Sequence, residues 1–134
     1  WTFGSHTWGH IRLDSRPLES VQRDTVRWAE EVGSLVGPTN ILFYPHGGRP
    51  DGDDWHSTGP VFQYLQSQGF RIFASVGINS FSYIKKDISA VICDRLHPDG
   101  TTLRNGKALE WYSQFYDARE IIDLDVRPDL GVTW

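Results

Sequence analysis

Three short apolar runs constrain this chain most: NILFY at residues 40–44, RIFASVG at 71–77 and AVICD at 90–94. NILFY is a short apolar run between Pro38 and Pro45, AVICD is a second buried-strand candidate, and RIFASVG reads as the strand between them. A run like NILFY has the pattern of a strand covered on both faces. Between the first two lies PVFQYLQSQGF, residues 60–70, which reads as a helix ended by Gly69. Strands alternating with helices imply βαβ units, hence a parallel sheet or a (β/α) barrel. In either architecture the working groups sit in loops at the carboxyl ends of the strands.

A longer helix is expected over residues 14–37, capped by Asp14 or Ser15, with Pro17 in its first turn and Gly37-Pro38 as its stop. Leu18, Val21, Val26, Trp28, Ala29, Val32, Leu35 and Val36 give it an approximate apolar face. Residues 1–4 read as a strand end, 105–117 as a last helix and 126–134 as a tail. The loop at 45–59, rich in Gly, Pro and Asp, is long enough to expect a functional role. About four strands are countable, too few to close a barrel. The chain has no Met and opens on WTFG, as if a strand were already in progress. The expectation is a single domain's carboxyl-terminal portion over residues 1–134, with its first strands supplied from elsewhere.

At 134 residues the chain can bury about two-thirds of its unfolded surface. A net charge of −4 with scattered basic residues argues against a nucleic-acid partner. No apolar run approaches the roughly 20 residues of a membrane span, and no signal-peptide pattern opens the chain. The lone Cys93 excludes an internal disulfide framework and leaves the compartment open. Six Trp, seven Phe and five Tyr suit a core and, in part, a sugar-binding cleft.

The first loop carries GSHTWGH, residues 4–10, with His6 and His10 four apart. Two imidazoles at this spacing can face one cation if the loop bends, and imidazole nitrogen suits Zn²⁺, Co²⁺, Ni²⁺ and Fe²⁺. A third ligand, usually a carboxylate, and an open position for water would complete a catalytic site. One exposed and one capping histidine is the plainer alternative.

GSHTWGH resembles the second motif, His-[Ser/Thr]-x-x-His, of the NodB-homology polysaccharide deacetylases, a carbohydrate esterase family. His6, Thr7 and His10 match it in full. The resemblance thins downstream. FYPHGG stands at the place of the third motif, Arg-x-Pro-[Tyr/Phe]-Gly, with Pro45 and Gly48 in agreement. Tyr44 occurs where arginine is usual and Gly47 where the aromatic is usual. VFQYLQSQGFRIF matches the helix and strand that follow, and residues from 99 onward resemble the closing stretch of bacterial members. The resemblance implies a distorted barrel of about seven strands and a divalent metal, Zn²⁺ foremost, held by His6 and His10. It also implies a ligand aspartate and a base aspartate in a motif that precedes the histidines. The missing arginine would otherwise position that base. The late Leu-x-His motif that supplies the general acid has no clean match, and His97 stands nearest to it.

The function implied is hydrolysis of acetyl groups from an N-acetylated polysaccharide, peptidoglycan or chitin-like, in a secreted, cell-surface or cytoplasmic setting. Its partners would be the polysaccharide and the amino-terminal part of the same domain. Tyr44, Pro45, Trp8 and Trp55 are expected to contact substrate, with Tyr44 pointing into or under the cleft. The loop at 45–48 is expected beside His6 and His10. His46 is expected to shape that loop rather than to bind metal, and DGDD at 51–54 to be a solvated acidic loop. Should a base be needed within the chain, it would come from Asp14, Asp51, Asp53, Asp54 or Asp94. A catalytically eroded carbohydrate-binding or scaffold protein on the same fold is the alternative, and an unrelated α/β domain with an incidental histidine pair a third.

Overall fold

The computed structural model describes residues 1–52, 59–77, 83–85 (backbone), 89–95, 110, 113 and 114. The chain divides into two compact units, Trp1–Leu96 and His97–Trp134, and the elements below belong to the first. The expected last helix and tail lie largely outside the described residues, as do Asp53, Asp54, Trp55 and His97.

The long helix forms but is not continuous. Helix α1 runs Leu18–Trp28, loosens into a π-helical turn at Ala29–Gly33 and closes with a short α2 at Ser34–Val36. Gly37, at φ 89°, ends it in a conformation that glycine adopts without strain. Neither Asp14 nor Ser15 caps α1. Pro17 occupies the cap, and its carbonyl accepts from the Ser20 and Val21 amides. Asp14 is instead ion-paired with Arg12, which holds its carboxyl below the usual range.

Strands β1 (Ile41–Phe43), β2 (Ile72–Val76), β3 (Tyr83–Lys85) and β4 (Ala90–Arg95) form one sheet in the order β1-β2-β4-β3. The three apolar runs pair in parallel, Leu42 beside Phe73 and Phe73 beside Ile92. The antiparallel β3 has no counterpart in the apolar pattern. The opening segment meets the sheet at one point: Ser5 bridges in parallel to Leu42, donating to the Ile41 carbonyl (2.9 Å) and accepting from the Phe43 amide (2.8 Å). A Cβ on Gly4 would strike the Phe43 ring, so only glycine allows this approach.

Side-chain alternation separates the two faces of the sheet. Leu42, Tyr44, Phe73, Ser75 and Ile92 share one face, each 5% exposed or less. Leu42, Tyr44 and Phe73 form the core with Leu13, Val21 of α1, and Val61, Phe62 and Leu65 of helix α3 (Pro60–Ser67). Asp51 starts α3 from outside the helix, its carboxylate accepting from the Val61 (3.1 Å) and Phe62 (2.9 Å) amides. The other face carries Ile41, Phe43, Ile72, Val91, Cys93 and Arg95, all half-buried, with Val76 exposed. Parallel pairing fixes what matters for function: β1, β2 and β4 deliver their carboxyl ends to one edge. No helix among the described residues is long and apolar enough to cross a membrane.

Candidate functional site

The histidine loop is built by small polar residues around the imidazoles. The Ser5 hydroxyl accepts from the Thr7 amide (3.2 Å), and the Thr7 hydroxyl accepts from the Ile11 amide (3.1 Å). The strongest brace comes from α1. Asp24, 8% exposed, accepts from the Trp8 amide (2.8 Å) and the Gly9 amide (2.7 Å). Charge-assisted bonds of this kind to buried backbone are stronger than neutral ones. Thr7 and His10 adopt left-handed backbone conformations, φ 62° and 51°, which non-glycine residues seldom occupy.

The result brings three imidazoles together. The His6 and His10 ring centroids lie 4.9 Å apart, and His10 lies 4.4 Å from His46, both pairs edge to face. Nδ1 of His6 is 2.9 Å from the Phe43 carbonyl. A carbonyl only accepts, so Nδ1 carries the proton and Nε2 keeps its lone pair. Burial holds the His6 pKa below its ordinary value. The Phe43 bond opposes that shift, while Arg95, His10 and His46 reinforce it. His6 is therefore neutral at pH 7.

The loop at residues 45–48 follows β1 and lies beside the histidine loop, through the contact of His46 with His10. Pro45 begins a single 3₁₀ turn, Pro45–Gly47, in which the Gly47 amide donates to the Tyr44 carbonyl and the Gly48 amide to the Pro45 carbonyl. The Ser75 hydroxyl, from the end of β2, donates to the Gly47 carbonyl (3.2 Å). His46 projects from this turn at φ 54° and is exposed.

The expected substrate contacts fare differently. Tyr44 is 2% exposed and packs on Phe73, with burial pushing its hydroxyl pKa far above the usual value. It follows Leu42 by two residues and so shares that strand's buried face. A ring sealed there belongs to the core rather than to a sugar-binding surface. Pro45 is likewise fully buried. Trp8 is 41% exposed, yet the Arg27 guanidinium sits 3.6 Å over its ring and Glu31 accepts from its indole N–H (2.8 Å). One ring face is thus occupied by a cation, leaving at most the other for a sugar. Trp55 and His97 lie outside the described residues.

The candidate base aspartates within the described residues already have partners. Asp14 pairs with Arg12, Asp51 starts α3, and Asp94, 7% exposed in its side chain, faces Arg49 at 3.9 Å. Burial pushes the Cys93 thiol up, which makes it a poor nucleophile.

By donor chemistry, His6 and His10 fit a divalent transition metal. One ring has its far nitrogen pinned by a carbonyl, the arrangement that orients metal-ligating histidines. Among the described residues, however, no group of three or more His, Cys, Asp or Glu is arranged so that it could hold a metal ion as it stands. Asp24, Ser75 and His46 are the site residues that sequence reasoning missed or set aside. Asp24 lies fifteen and sixteen residues from the amides it holds and leaves no local signal. No family model matches the chain, and no curated protein or solved structure does.

Proposed function

We propose that this chain contributes the metal-holding loop of a metal-dependent hydrolase that removes acetyl groups from an N-acetylated polysaccharide, within a distorted (β/α) barrel of about seven strands. The observation that supports it most is the juxtaposition of His6 and His10 at the carboxyl edge of a parallel sheet, where barrels and open α/β sheets keep their active sites. The parallel order of β1, β2 and β4 agrees with that architecture.

His6 presents Nε2 as a lone-pair donor because Phe43 holds the proton on Nδ1. Its lowered pKa keeps that donor available at neutral pH. Asp24 and Thr7 fix the loop so that His10 stands beside it. A bound divalent ion supplies Lewis acidity toward a water and an acyl oxygen. By the resemblance, the base is an aspartate of the motif that precedes the histidines, in keeping with the engagement of Asp14, Asp51 and Asp94 in other contacts.

The test is acetate release from an acetylated chito-oligosaccharide by the full-length protein with added Zn²⁺. Loss of release in His6→Ala and His10→Ala, with the fold retained, supports the reading; unchanged release contradicts it. A carbohydrate-binding or scaffold role on the same fold is favoured by Tyr44, which offers no cation from the core where the family has an arginine. Oligosaccharide binding without acetate release would mark that role.

A further inference from the structure

His46 was expected to do no more than shape its loop. The structure gives it a different setting. Its ring packs 4.4 Å from that of His10, which itself lies 4.9 Å from His6. The three imidazoles come from two loops that share nothing but the carboxyl edge of β1 and the segment bridged to it. Both loops hold a histidine at positive φ, His10 at 51° and His46 at 54°, with Thr7 at 62° between the paired histidines. Left-handed backbone at a non-glycine residue costs about 1 kcal/mol or more, and such strain persists where surrounding structure enforces it, most often at functional sites. Here hydrogen bonds from Asp24, Ser75 and the loop's own backbone enforce it.

Packing does not explain the cluster. His10 and His46 are exposed, so their contact buries little apolar surface. Three histidines plus one open position form a known ligand set for catalytic zinc.

We propose that His46 is a third nitrogen donor, joining His6 and His10 around one divalent transition metal ion. The rings pack edge to face, and as they stand the three do not form a metal-holding group, so binding requires them to rearrange. His6 is pinned by Phe43, whereas the exposed rings of His10 and His46 can turn about their side-chain torsions to meet its Nε2. The inference rests on the metal-hydrolase reading for the His6–His10 pair and adds to it a ligand the family resemblance does not supply.

The test is a Co²⁺ titration of the protein followed by visible absorption, with histidine ring ¹⁵N shifts recorded on addition of Zn²⁺. Asn tolerates left-handed backbone, so His46→Asn keeps the turn, and His46→Ala serves as the second variant. Second-shell losses already weaken metal sites by about 10–100-fold, so loss of a ligand should weaken Co²⁺ binding by at least roughly tenfold. Zn²⁺ should shift one ring nitrogen of each of three histidines. Wild-type affinity in His46→Asn, or shifts confined to His6 and His10, would overturn the third ligand while leaving the pair standing. A wild-type protein that takes up neither ion would overturn both.

Discussion

The two loops that carry the imidazoles are held by opposite means. The histidine loop, residues 6–10, takes its shape from elsewhere: Asp24 of α1 grips two of its amides and Phe43 of β1 fixes its first ring. The loop after β1 shapes itself through a proline-initiated turn, Gly47 in left-handed conformation and two backbone hydrogen bonds, with one tie to Ser75. The first loop should therefore fail when a distant side chain is removed. The second should fail only when its own backbone is changed.

Asp24→Ala should give the largest effect. It strips a buried carboxylate from two amides, and charge-assisted bonds contribute roughly 1.5–3 kcal/mol each, so a loss of about 3 kcal/mol is expected in denaturant unfolding. The His6–His10 contact should disappear with it, while the turn at Pro45–Gly47 persists. Gly47→Ala is the reciprocal experiment. Gly47 has φ 68°, and a Cβ there would meet Ser75 Oγ at a tolerable 3.6 Å, so backbone strain dominates at about 1–2 kcal/mol. His46 should move and His6 should not. Thr7→Ala removes one acceptor from the Ile11 amide and should cost about 1 kcal/mol.

Acidification should separate the loops more gently. The folded-state pKa of His6 is lowered, so the unfolded chain binds a proton first as pH falls below about 6.5. Stability contributed by neutral His6 is present above that value and is lost as pH falls through the lowered folded pKa. Amide exchange in residues 6–10 should accelerate over that window in the wild type and not in His6→Gln.

The same contrast shows what a sequence makes legible. The three apolar runs became the three parallel strands, although the sheet buries one face and leaves the other largely half-buried. The turn after β1 is visible in its Pro and Gly residues, and the histidine spacing is visible as chemistry. Asp24 is invisible because its bonds span fifteen and sixteen residues, and a carboxylate on a helix ordinarily reads as solvated surface. Tyr44 illustrates the opposite case: two residues beyond Leu42, it shares the buried face by simple alternation, so of the two expected placements, into the cleft or under it, its burial leaves only the second. The interruption of the long helix at Ala29–Gly33 and the three-residue β3 are too short to leave a periodic signal.

The central claim is that His6 and His10 form one metal-holding unit. The most direct measurement is equilibrium dialysis of the protein against Zn²⁺ at neutral pH, beside the double variant His6→Ala/His10→Ala. The account predicts one ion per chain for the wild type and none for a folded double variant. A folded wild type that retains no zinc, or a double variant that retains as much, would contradict it.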